Sequence, residues 1–236
     1  METKLIAFTS MKGGVGKSTH VAALAAGLLD QGKTVRVIET DEQGTAAAWA
    51  DEAAEAHENL DSVYLDLGDK NFHQANEAII EASDGPEYVL LDTAGSANAA
   101  TTAAVYTADL VLSPFMLTQP DTEGLLRTLA LYNGVFERLG ENQPGTFYGL
   151  FVADIAFMSN SDKERLKELS DKMPIYRGLS RNTNIKKWME TCRTPKQLRN
   201  GTPRAEGSAP ITDTGIEKAD GFIQTLTTTV EGFFDA

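Results

Sequence analysis

The stretch SMKGGVGKSTH, residues 10–20, decides the fold. Its core is Gly13-Gly14-Val15-Gly16-Lys17-Ser18-Thr19. Glycines let successive backbone N–H groups turn inward around phosphate oxygens. A helix that starts at the end of such a run adds the partial positive charge of its N-terminus. Both flanks agree with this reading. KLIAFTS (4–10) is an apolar, β-rich strand, and residues 17–31 are rich in Ala and Leu and read as a helix stopped by Gly32. In that context Lys17 reaches the β- and γ-phosphates of a nucleotide and the Ser18 hydroxyl ligates Mg²⁺. One lysine suffices for this, yet the stretch carries a second, Lys12.

Working outward, strands and helices alternate. TVRVIE (34–39), SVYLDL (62–67), EYVLLD (87–92), DLVLSPF (109–115), TFYGLFVADI (146–155) and MPIY (173–176) read as strands. Helices are predicted over 44–56, near 71–82 and 97–107, over 121–139, 161–172 and 182–192, and from about 213 onward. The loop ENQPG ends the helix at 139, and TPRAEGSAP is a loop before the last helix. Alternation of this kind predicts an α/β fold, a mostly parallel twisted sheet with helices on both faces. No repeat, linker or low-complexity tract divides the chain, so one P-loop domain over residues 1–236 is expected.

The glycine run departs from the common G-x-x-x-x-G-K-[ST] form, because Met11 stands where a glycine is usual and Lys12 follows it. KGGVGKS resembles the deviant Walker A signature of the ParA/MinD superfamily of P-loop ATPases. The resemblance implies ATP and Mg²⁺ as cofactors, residues 12–19 (Lys12, Gly13, Gly14, Val15, Gly16, Lys17, Ser18, Thr19) around the nucleotide, and an ATP-driven homodimer. Lys17 would serve its own nucleotide. Lys12 would cross the interface to the partner's phosphates and act as an arginine finger does. IETDEQG (38–44) resembles the family's DxDPQG segment, with Asp41 and Gln43 matching. Asp41 falls on the residue that orients the attacking water, so Lys12, Lys17 and Asp41 form the expected catalytic set. Glu39 replaces an aspartate near the metal and keeps its charge, and Glu42 replaces a proline. In VLLDTAGS (89–96) an apolar strand ends in Asp92, which matches a Walker B carboxylate holding Mg²⁺ through water. Thr93-Ala94-Gly95 would sense the γ-phosphate. The likeness covers roughly residues 4–125. Adenine contacts are expected near Arg177–Thr183 and Thr202–Ala205.

Composition narrows the branch. A net charge of −13 argues against a general nucleic-acid binder, but residues 163–204 hold 12 of the 21 basic residues. Cys192 is the only cysteine, which excludes an intrachain disulfide and the paired-cysteine branches of the superfamily. His20, His57 and His73 lack metal-ligand spacing and read as surface or supporting histidines. METKLIAFTS does not read as a secretory signal, and a strand beginning at residue 4 leaves no room for an N-terminal helix-turn-helix. The C-terminal GIEKADGFIQTLTTTVEGFFDA has one lysine among several acids, so no membrane partner is expected. Its Phe222, Ile223, Leu226, Val230 and Phe233 read as a face packed on the core. What remains looks like a small ParA-type partition ATPase, similar also to the VirC1 proteins of DNA-transfer systems. That implies a cytoplasmic, nucleoid-associated bacterial or archaeal protein that segregates plasmid, chromosome or other large cargo. It also implies sequence-independent DNA binding and a ParB-like adaptor. Arg181, Lys186, Lys187, Arg193, Lys196, Arg199 and Arg204 are the candidate DNA contacts. The alternative is an ATP-dependent positioning switch that acts on a protein partner or scaffold without DNA. A metabolic enzyme of the dethiobiotin-synthetase type shares the fold, but DEQG and DTAGS speak against it.

Overall fold

Apolar runs that carry no alternation of polar residues belong in strands covered on both faces. The computed structural model places them so, and it describes residues 2–139, 146–152, 158–179 and 183–235. The strands are β1 (Lys4–Phe8), β2 (Val35–Glu39), β3 (Leu60–Tyr64), β4 (Tyr88–Asp92), β5 (Leu110–Phe115), β6 (Thr146–Phe151) and β7 (Ile175–Arg177). They form a seven-stranded sheet in the order β3-β2-β4-β1-β5-β6-β7, and every pairing is parallel.

The helices are α1 (Lys17–Asp30), α2 (Thr45–Ala54), α3 (Phe72–Ala82), α4 (Ala99–Thr107), α5 (Gln119–Leu139), α6 (Asn160–Ser170), α7 (Thr183–Met189), α8 (Pro195–Arg199) and α9 (Asp213–Phe234). Strand side chains alternate between two cores. Ile6 and Phe8 of β1 join α1, α2, α7 and α9 on one face, and Leu5 and Ala7 join α3, α4, α5 and α6 on the other. In α9, Ile223, Leu226 and Val230 are buried, with Phe222 and Phe233 packed beside them, as their spacing predicts. Among the described residues no helix is long and apolar enough to cross a membrane.

Some strand bounds shift from the sequence reading, and a short helix stands where no element was read. The strand read over 146–155 ends at Phe151, and residues 153–157 lie outside the described residues. TPKQLR, which has no apolar period, forms the short helix α8. Thr194 caps it in a capping box with Gln197, and Pro195 takes its first position.

Order β4-β1-β5 makes β1 the point where the chain reverses its direction across the sheet. Ligands of open α/β sheets bind outside the carboxyl ends of the strands at such a point. The loop after β1 is the glycine run. Helix α1 is held over the sheet by α9, and the contact is tight at Gly27. A Cβ there would lie 2.0 Å from Thr227 Oγ1 and 3.0 Å from Ile223 Cγ2. Gly27→Ala is therefore expected to destabilise the chain by about 1–3 kcal/mol through overpacking. Adding Thr227→Ala, which removes the nearest atom, should recover part of that loss. Urea midpoints of the single and double variants check both expectations.

Candidate nucleotide site

The parallel register brings the acidic elements together. Glu39 at the end of β2 stands opposite Asp92 at the end of β4, and Asp92 stands opposite Phe8 of β1. The loop after β1 therefore starts beside both carboxylates. Glu39 and Asp92 are fully buried, and Lys17, at the first turn of α1, is buried with them. The Ser18 side chain and the Lys17 charge both act to hold the Asp92 carboxyl down. Burial, with the Glu39 charge second, nevertheless pushes its carboxyl up to about 7. Its Oδ1 has no hydrogen-bond partner among the described residues.

A buried carboxylate oxygen left unsatisfied beside a serine hydroxyl fits a hydrated Mg²⁺. Among the described residues no group of three or more His, Cys, Asp or Glu forms a metal cage. A magnesium that arrives with phosphate oxygens and water needs none.

Glu39 Oε1 accepts the Asp41 N–H at 2.9 Å and Oε2 accepts the Ala46 N–H at 3.1 Å. Both oxygens thus brace the 40–46 turn and the start of α2. Burial raises its pKa, and these amide bonds oppose the rise. Asp41, half-buried, caps the same turn by accepting Gln43 N–H at 3.1 Å. Thr93 is buried and donates its hydroxyl to Phe8 O at 3.1 Å. Gly95 lies against the glycine loop, where a Cβ would come 3.4 Å from Gly13 N.

Gly14 and Gly16 adopt φ of 75° and 95°, the left-handed region that lets this loop close. Lys12 lies beside α5. Its Nζ lies 3.9 Å from Asp121 of α5, its side chain is 41% exposed, and its Cβ packs against Gly124. Met11 N–H donates to Thr128 Oγ1 at 3.0 Å, which ties the loop's first residues to α5.

Beside the glycine loop opens a cleft of about 650 Å³. The loop, Thr19, Met116, Val152, Leu179, Thr183, Ile185, Lys186 and Met189 line it. Of the two expected adenine regions, 177–183 lines this cleft through Leu179 and Thr183, while residues 180–182 lie outside the described residues. The region 202–205 does not line it: Ala205 N–H is bonded to Thr191 O, and Arg204 to Ala209 O. Met116, Val152 and Met189 were not legible in the sequence, because isolated apolar residues at strand and helix ends carry no pattern.

His20 takes the supporting rather than the surface place of its first reading. It is buried and lines the cleft. Nδ1 lies 2.7 Å from Gly16 O, and Nε2 lies 2.8 Å from Leu179 N. A backbone N–H can only donate, so Nε2 is bare and the proton sits on Nδ1.

The basic segment is less free than its charge implies. Arg193 is buried and donates to the carbonyls of Pro203, Glu52 and Cys192, which removes it from any surface set. Lys196 donates to Asp30 O at 3.3 Å, and Arg199 pairs with Asp220 at 2.7 Å. Lys186 lines the cleft, Lys187 is half-buried on α7, and Arg181 lies outside the described residues.

Comparison with known proteins now has a geometry to rest on. Residues 3–177 match the VirC1 protein family. The chain belongs to that family. VirC1 of Rhizobium radiobacter is 31% identical over 146 residues, which make up 59% of this chain and 59% of that protein. The match thus spans about three fifths of the length of the curated relatives. Among solved structures, a plasmid partition protein from Borrelia burgdorferi bound to AMPPNP superposes with a TM-score of 0.65 at 18% identity, covering 97% of this chain and all (100%) of that one. MinD in the MinC:MinD cell division complex of Aquifex aeolicus gives 0.64 at 17% identity, covering 98% and 96%. The likeness to VirC1 proteins is thereby borne out, and the fold is that of these two structures.

Burial holds the His20 pKa down at about 4, against 6.5 for a free imidazole. Between those values the unfolded chain binds a proton that the folded chain refuses. This contribution is intact above pH 6.5 and is lost as the pH falls toward 4. On going from pH 7 to pH 4, wild type should lose about 3 kcal/mol more stability than His20→Gln. Urea midpoints of the two proteins across that range measure it.

Proposed function

We propose that this chain is a ParA-like ATPase acting as one unit, an ATP-driven dimer that hydrolyses ATP to ADP and phosphate to move or position DNA or other large cargo. The observation that carries the reading is buried Lys17 and Asp92 with half-buried Ser18 beside them at the glycine loop, next to a cleft of about 650 Å³. The loop N–H groups and Lys17 bind the phosphates. Ser18 and Asp92 would hold Mg²⁺, which, when bound, neutralises charge on the phosphate oxygens. Asp41, held by the Glu39 brace, orients water in line with the γ-phosphate.

Lys12 supports the dimer. Its ammonium is half-exposed beside Asp121, where it could reach a partner's phosphates. Two facing polyanions repel unless cations come with them. Lys12→Ala and Lys17→Ala should each be close to inactive alone, because one lacks the donated lysine and the other its own phosphate contact. Mixed, they should recover hydrolysis, since the Lys17→Ala subunit lends Lys12 to the other's nucleotide. Phosphate release from the separate and mixed proteins tests this. Wild-type turnover by Lys12→Ala alone refutes the role across the interface.

For the cargo, we read non-specific DNA binding by the dimer with a ParB-like adaptor in the cytoplasm. The remaining basic residues Lys186, Lys187, Lys196, Arg199 and Arg204 would supply the phosphate contacts. The burial of Arg193 and the Arg199–Asp220 pair favour the second reading, a switch on a protein partner, because they compensate part of the patch. Lys187→Glu with Arg204→Glu leaves the cleft untouched. On the DNA reading, wild type binds unrelated duplexes alike with ATP, poorly with ADP, and less tightly as salt rises. The double variant then weakens all of them together, with a shallower salt slope. Anisotropy titrations decide, and no binding at low salt selects the protein-partner switch.

A further inference from the structure

The His20 ring joins two parts of the cleft that lie 159 residues apart in the chain. On one side it donates from Nδ1 to the carbonyl of Gly16, the glycine before Lys17. On the other, Nε2 accepts the N–H of Leu179, which also lines the cleft. The approach is close enough to require glycine next to Leu179. A Cβ on Gly178 would come 2.8 Å from His20 Nε2, 3.2 Å from Leu150 Cβ and 3.3 Å from Phe151 O. Gly178 itself is anchored to the sheet by its N–H bond to Phe151 O at 2.9 Å. A ring this buried, with both nitrogens occupied, has one tautomer and one orientation, so it acts as a rigid strut.

We propose that His20 is a positioning residue for the nucleoside, holding the Gly178–Leu179 wall at a fixed distance from the phosphate loop. The inference rests on the nucleotide reading of the cleft and deepens it. Triphosphate alone would meet only the loop end, whereas a nucleotide spans loop and wall together. The Leu179 bond should therefore matter for ATP and ADP and not for inorganic tripolyphosphate.

Side-chain amides separate the two bonds. The Gln amide can place an acceptor near the position of Nε2 and keep the Leu179 bond. Asn is shorter, can place a donor near Nδ1, and keeps only the Gly16 bond. With Mg²⁺ present and below the melting temperature of each protein, His20→Asn should weaken ATP and ADP about tenfold, the scale of one buried hydrogen bond left unmade. It should bind tripolyphosphate as wild type does. His20→Gln should stay within about threefold of wild type for all three ligands. Isothermal titration calorimetry gives the affinities, and circular dichroism confirms that the variants are folded. If His20→Asn does not fold, Gly178→Ala displaces the wall from the other side and should show the same selective loss.

Equal weakening of ATP and tripolyphosphate overturns the proposal, because the ring would then serve the loop alone. Unchanged ATP affinity in folded His20→Asn overturns it as well. A wild type that binds neither ATP nor tripolyphosphate instead removes the nucleotide reading itself, and this inference with it.

Discussion

Glu39, Asp92 and Phe8 stand in one row across three parallel strands, and the site depends on that row. It puts two buried carboxylates side by side at the carboxyl edge of the sheet, where mutual repulsion and lost hydration both work against ionisation. The fold offsets this locally. Glu39 takes two backbone N–H bonds, and Asp92 takes Ser18 and the Lys17 charge. Each compensating group belongs to an element that must arrive in the right place: the turn after β2, the start of α2, the loop after β1 and the first turn of α1. The electrostatic demand of the row and the architecture around it are one constraint.

The surroundings of the glycine loop follow. Its backbone turns through left-handed glycines over the end of β1, Gly95 closes on it from β4, and Met11 is tied to α5 through Thr128. Lys12 and Lys17 lie near different acidic groups. Lys17 is buried near Asp92, and Lys12 lies half-exposed near Asp121. His20 then links the loop to the last strand's exit through one buried ring.

The basic segment shows how far charge counting reaches. The excess of Lys and Arg over residues 163–204 is plain in the sequence. Where those charges go is a matter of packing. Arg193 turns inward to satisfy three carbonyls, and Arg199 meets an aspartate on α9. An arginine buried against carbonyls and one facing solvent look alike in a count.

The sequence by itself determined the strand–helix alternation, the phosphate loop and the identity of the residues that crowd it. Those are local properties: apolar runs of strand length, glycines where the backbone must turn inward, a carboxylate at a strand's end. It also held the family, because KGGVGKS and the acidic segments are short contiguous motifs. Only the tertiary structure decided that Glu39 braces a turn, that His20 is a buried strut, that Arg193 is internal and that Met116, Val152 and Met189 meet in one cleft. These roles are set mainly by which distant backbone donor or acceptor arrives within about 3 Å. No periodicity of side chains along a chain records a distance between segments that meet only when the sheet is assembled.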